Sequence, residues 1–201
     1  QPIEGDDGED PDPELLREMA LKAENAARSV TGVTNSEGGG ASAGRSIVAL
    51  ATSHGFSGAY STSGYSLSAS VIAGKGDGME RDYAYDSVRF LEDLENPENI
   101  GKEAGERAVS RLNPVDFASG AMPVVFDSRV GNSLLGHFVG AIAGSAIARK
   151  TSFLLDALDT QVFDSALNII DCPHRKRGLR SKAFDGEGLP TAKTKLIDNG
   201  R

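Results

Sequence analysis

AMPVVFDSRVGNSLLGHFVGAIAGSAI, residues 121–147, is the stretch that decides the fold. It reads as a short strand feeding a long apolar helix. Residues 122–126 form a compact apolar run in which Val124 and Val125 are β-branched, the mark of a buried strand. Asp127 or Ser128 is placed to cap the helix, because a short side-chain oxygen accepts from the unpaired N–H groups of a first helical turn. From Leu134 to Ile147 the predicted helix has almost no polar face. Leu134, Leu135, Phe138, Val139, Ile142, Ala143, Ala146 and Ile147 point all round, which predicts burial on most sides. Gly136, Gly140 and Gly144 recur at every fourth position, so a row without side chains offers a groove for close packing by another backbone. A helical glycine costs up to about 1 kcal/mol against alanine, which gives the row a packing reason. A membrane dimer motif fails on length: the uninterrupted apolar segment is well short of the roughly 20 residues of a spanning helix, and His137 breaks it.

Working outward, the 201 residues suffice for one large domain or two small ones. A hydrophobic share of 39% and a charged share of 25% are ordinary for a soluble globular protein. The formal net charge of −8 argues against direct contact with nucleic acid, which needs a basic surface. Cys172 is the one cysteine, so no internal disulfide framework is available, and a reducing compartment is expected. The sequence does not begin with Met, and Asp198-Asn199-Gly200-Arg201 reads as a hairpin turn without its return strand. A piece of a longer protein is therefore expected.

Residues 1–11 are acidic and rich in Pro and Gly, and are expected to form a disordered leader. Asp12, Pro13 and Glu14 then open a helix, with Leu15, Leu16, Met19, Ala20, Ala23 and Ala27 at helical spacing. Residues 31–44 are expected to be a flexible loop around Gly38-Gly39-Gly40; a phosphate cradle would need a preceding strand and a following Gly-Lys-Ser/Thr. From 45 to 85 the period changes to two, as in Ile47, Ala49, Ala51 and in Tyr65, Leu67, Ala69, Val71. With turn signals at His54-Gly55, Ser63-Gly64 and residues 74–78, this predicts a meander of three or four antiparallel strands with one serine-rich, solvated face. Asn96-Pro97 starts a second helix that runs to about Leu112, and Asn113-Pro114 ends it. Beyond the central stretch, residues 167–171 and 191–197 are strand candidates around a basic loop at 174–180, read as solvated.

Three kinds of chemistry lack their full residue sets in this sequence. A zinc protease needs two His on one helix with a nearby Glu, whereas the central helix offers only His137. Cys172 and His174 could form a thiol–base pair, but Pro173 separates them and no further signature accompanies them. Asp171, Asp185 and Glu187 could pair for acid–base work or hold a metal, although acids in turns usually do neither. Gly76-Asp77-Gly78 is too short for a calcium loop, and His54 reads as an ordinary turn residue.

Several stretches in order resemble one family. They are Gly55-Phe56 with Tyr60, the run Gly78-Met79-Glu80-Arg81-Asp82-Tyr83, and the helix holding Ile100-Gly101, Ala104 and Glu106-Arg107-Ala108. The central stretch and Phe184-Asp185-Gly186-Glu187-Gly188-Leu189-Pro190-Thr191 complete the set. From about Arg45 to Arg201 the chain is similar to the TldD/PmbA family, also called modulators of DNA gyrase. The resemblance implies an α+β fold: the end of an N-terminal α/β domain with an antiparallel meander sheet (residues 12–116), then the start of a β-rich C-terminal domain with a buried central helix (residues 117–201). In the TldD branch an HExxxH motif on that helix, with a much later cysteine, binds zinc. Laid on this sequence, its first His falls on Gly136, its Glu on His137 and its second His on Ala141. Glycine and alanine carry no side chain that can ligate metal. The chain thus resembles the PmbA branch, also called TldE, with no catalytic or metal residue of its own and zinc expected only in the partner. The resemblance implies a cytoplasmic subunit paired with a TldD-like protease, or a homodimer, supporting cleavage of unfolded peptides such as an antitoxin or a microcin-type precursor. No membrane and no nucleic acid enter. The alternatives are an enzyme using Cys172/His174 or Asp185/Glu187, and a self-associating scaffold without proteolytic role.

Overall fold

Asp12 accepts the Glu14 N–H at 2.8 Å and Pro13 sits in the first turn, so α1 (Pro13–Ser29) begins where the sequence predicts it. The computed structural model describes residues 3–201; the first two residues of the predicted leader lie outside the described residues. Three strands come after α1: β1 (Val33–Ala51), β2 (Ser57–Ala73) and β3 (Glu80–Val88), an antiparallel meander in the order β1-β2-β3. The meander is as predicted, but its first strand starts early. Gly38-Gly39-Gly40 is no linker: Gly39 pairs with Ala69 and Gly40 with Ser68 across β2. At Gly39 the reason for a glycine is α1, which passes directly over the strand; a methyl added there would collide with the Ala20 carbonyl oxygen. Gly38, at a φ of 111°, sits where the ladder shifts register beside Ser36. Ser63-Gly64, read as a turn, lies inside β2 instead.

Alternation along β2 buries Leu67, Ala69, Val71 and Ala73 against the helices. The second helix, α2 (Pro97–Ser110), is capped by Asn96, whose side chain accepts from the Glu98 N–H at 2.8 Å. Its Ile100, Ala104 and Ala108 join Ala23 and Ala27 of α1 in one core. The glycines that serve close packing are on this helix. A methyl at Gly101 would strike the Ala23 carbonyl oxygen and lie 2.8 Å from Ala26 Cβ, and one at Gly105 would lie 2.6 Å from a Val30 methyl.

The chain divides into two compact units. The first runs through Val115 and takes up Cys172–Lys193 again; the second holds Asp116–Asp171 and Thr194–Arg201. In the second unit Asp127 caps α3 (Ser128–Ile142) by accepting the Arg129 N–H at 2.9 Å. The helix breaks at Ala143, whose ψ is 132°, and α4 (Gly144–Ala148) comes next, so the one long helix expected is two. Expected burial is not met either. Only Phe138 and Ala141 of α3 are buried, with the Phe163 ring edge-on to Phe138 at 5.4 Å. Residues 122–126 form no strand, and Val125 is 96% exposed. The glycine row at Gly136, Gly140 and Gly144 faces open space, with nothing within 4 Å of an added Cβ. The reason is the same in each case: an apolar periodicity specifies a face, and no described element covers this one. A short hairpin, β4 (Ile169–Asp171) with β5 (Thr194–Ile197), completes the unit. At its end Asp198 and Arg201 exchange main-chain hydrogen bonds of 2.9 and 3.1 Å around Asn199 and Gly200, both at positive φ, as a type I′ turn requires. Among the described residues no helix is long and apolar enough to cross a membrane.

The two glycine rows make opposite predictions. Gly101→Val will destabilise the protein by about 3 kcal/mol through overpacking against α1. Gly140→Ala will leave stability unchanged or raise it by up to about 1 kcal/mol. Denaturant unfolding measures both, and a loss at Gly140 would show that its row is covered in the intact protein.

Candidate functional site

The three positions that matter for zinc lie on α3. Gly136 and His137 are exposed, and Ala141 is buried one turn beyond His137. This set provides a single imidazole where a catalytic zinc needs three protein ligands. Among the described residues no three His, Cys, Asp or Glu side chains are grouped to hold a metal ion. The donors at these positions do not fit zinc.

The other candidates are engaged in structure. His174 Nε2 lies 2.8 Å from Thr191 Oγ1, and that hydroxyl donates its only proton to the Lys182 carbonyl at 3.0 Å. The imidazole therefore carries its proton on Nε2 and serves to fix Thr191. Cys172 is exposed. Asp185 Oδ1 accepts from the N–H groups of Glu187 at 2.9 Å and Leu189 at 2.8 Å, so this carboxylate closes a turn. Asp171 lies in β4 of the second unit, opposite Thr194. His54 Nε2 donates to the Glu187 carbonyl at 3.2 Å. The turn docks Phe184, whose ring meets Phe56 at 5.0 Å and Tyr60 at 5.2 Å, both edge-on. Gly188, at a φ of 81°, leaves no room for a side chain beside Phe56. Two of the resembling stretches thus owe part of their residues to one aromatic contact, which no spacing in the sequence signals.

Residues 3–11, expected to be disordered, form no helix or strand, yet they are tethered. Arg45 Nε donates to Asp6 at 2.7 Å, and this bond holds the Asp6 carboxyl at about 2. Asp7 Oδ1 accepts from the Tyr65 hydroxyl at 2.8 Å, and Oδ2 from the Leu91 N–H at 2.8 Å. Burial raises the pKa of Asp7, but these bonds outweigh it and hold the group below its usual range. Tyr65 is pushed up to about 12 by burial and by its bond to Asp7. The returning segment is latched as well. Arg177 stacks on Phe90 at 4.0 Å and pairs with Asp93 at 2.8 Å and Glu92 at 2.7 Å, and Arg89 donates to the carbonyls of Ser63 and Leu179.

A family model described as the PmbA/TldA metallopeptidase central domain matches residues 6–112, and one described as the C-terminal domain matches residues 119–201. The chain belongs to the PmbA/TldD metallopeptidase family. Within the family it is 40% identical over 189 residues to the metalloprotease PmbA of Escherichia coli O157:H7, covering 94% of this chain and 42% of that protein. A PmbA homolog of Haemophilus influenzae is 38% identical over 192 residues, covering 95% and 43%. The chain thus spans less than half the length of these curated relatives. A crystal structure of a candidate DNA gyrase modulator from Thermotoga maritima matches with a TM-score of 0.91 at 28% identity, covering 100% of this chain and 47% of that one. TldE from Thermococcus kodakarensis shares the fold, with a TM-score of 0.72 at 22% identity over 99% of this chain and 47% of that one.

Phe184→Ala will cost about 3 kcal/mol, read by thermal unfolding, because it empties a buried aromatic contact. Acid and base should unfold the tether from opposite sides. Asp6, depressed when folded, contributes stability that is present above 3.8 and lost as pH falls to about 2; Tyr65 contributes stability that is lost as pH rises from 10 to about 12. Protection of the Leu91 amide relative to its intrinsic exchange rate at each pH will fall at both ends, and Asp7→Asn will lower it between them.

Proposed function

We propose that the chain is part of a PmbA/TldE-like subunit that supports the cleavage of unfolded peptides by a TldD-like partner and holds no zinc on its own central helix. One observation carries this reading: the positions where the active branch would place His, Glu and His are Gly136, His137 and Ala141. Two of the three have no side-chain donor, and the third is a lone exposed imidazole. The work left to this subunit is to shape the chamber in which an extended peptide lies. Its setting is cytoplasmic and its assembly a heterodimer, with a homodimer formed when the partner is absent. The engagement of His174 with Thr191, and of Asp185 with its own turn, favours this role over a separate active site.

Metal analysis and peptide cleavage test it together. The intact protein purified alone will carry no stoichiometric zinc and will not cleave an unfolded peptide; the pair with a TldD-like chain will do both. Stoichiometric zinc or cleavage without the partner overturns the proposal. A stable homodimer that never pairs with such a chain would point to a scaffold role instead.

A further inference from the structure

The loop of residues 173–182 is the most basic stretch of an acidic chain. His174, Arg175, Lys176, Arg177, Arg180 and Lys182 fall within it, with no Asp or Glu between Cys172 and Phe184, against a net charge of −8 for the whole. The loop is built rather than loose. The Gly178 N–H donates to the Arg175 carbonyl at 3.1 Å, Ser181 Oγ donates to the same oxygen at 2.6 Å, and the Lys182 N–H donates to the Pro173 carbonyl at 2.9 Å. These bonds bring Arg175 back beside Ser181, so Arg175, Arg180 and Lys182 ride on one closed turn. Arg177 is taken up by Asp93 and Glu92, and Lys176 by Glu4. Arg175, Arg180 and Lys182 are exposed and have no carboxylate partner among the described residues.

The chain itself shows what this loop accepts. The Arg177 N–H donates to the Glu4 carbonyl at 3.1 Å while Lys176 Nζ holds the Glu4 carboxylate at 2.7 Å. Asp6, Asp7 and Glu9 come next in a stretch with no helix or strand. One acidic residue of a non-helical segment, Glu4, is therefore already held by the loop, while Arg175, Arg180 and Lys182 have no carboxylate partner among the described residues.

We propose that the 173–182 loop is a docking surface for a second acidic, extended polypeptide segment, supplied by another molecule, whose carboxylates pair with Arg175, Arg180 and Lys182. Arginine forks take carboxylates bidentately, and lysine adds a point charge. A flexible acidic peptide can bring a few carboxylates to one turn. Nucleic acid carries a phosphate at every nucleotide, so beyond the few cations of this turn it would set a continuous line of charge against an acidic chain, whereas a peptide can confine its carboxylates to the turn. This inference stands without the zinc reading, since it concerns the first unit and no metal.

The test is fluorescence anisotropy of the intact protein with three labelled probes: a short Glu/Asp-rich peptide, a Lys-rich peptide and a single-stranded DNA of matched charge. The acidic peptide will bind, and added salt will weaken it. Its Kd will rise about tenfold or more in the variant Arg175→Glu/Arg180→Glu/Lys182→Glu. The neutral variant Arg175→Gln/Arg180→Gln/Lys182→Gln will show a smaller loss of the same sign at an unchanged unfolding temperature. Absence of binding at low salt, equal affinity for the Lys-rich peptide, tighter binding of the DNA, or an affinity unmoved in the neutral variant would each overturn the proposal.

Discussion

Two helices that meet with almost no side chain between them hold the first unit together. Where α1 and α2 cross, Gly101 and Gly105 face Ala23, Ala26, Ala27 and Val30, and main chain lies against main chain. The core beneath is built mostly from alanine, with Leu67, Val71 and Ile100 as its larger members. Such a core gains little from any one side chain, so it depends on many short contacts made at full density. That places a demand on register. A helix starting one residue late would turn the glycine row away and put a methyl against a carbonyl. Asp12-Pro13 and Asn96-Pro97 meet the demand with the same device, a capping oxygen followed by a ring with fixed φ.

Those two starts were legible in the sequence because capping is local chemistry. The alternation in β2 was legible for a similar reason: it is a property of one strand and one face. Contact at a distance did not read. Gly38-Gly39-Gly40 has the composition of a linker, yet it pairs with β2, and α1 passing over Gly39 is why no side chain stands there. Gly101/Gly105 and Gly136/Gly140 have the same spacing, yet the first row is filled and the second faces open space. Periodicity reports which face is apolar and is silent on what lies against it.

The candidate site divides in the same way. The chemistry of positions 136, 137 and 141 follows from residue identity alone. The roles of His174, Asp185 and Asp7 do not, since each bonds to main chain or to a hydroxyl that no motif announces. A polar residue in a turn looks alike in sequence whether it awaits a substrate or ties a loop. Here the bonds show tying. The family resemblance rested partly on residues such as Phe56, Tyr60, Phe184 and Gly188, whose observed part is to seat one loop.

The first unit is not continuous along the chain. Its sheet closes by Val88, yet Arg89 finds the Leu179 carbonyl and His54 finds Glu187 far downstream, 90 and 133 positions away. A ribosome adding roughly 5–20 residues per second needs on the order of ten seconds to deliver those partners. Through that interval the sheet lacks its returning segment, and the faces of Phe56 and Tyr60 that meet Phe184 have no ring to cover them.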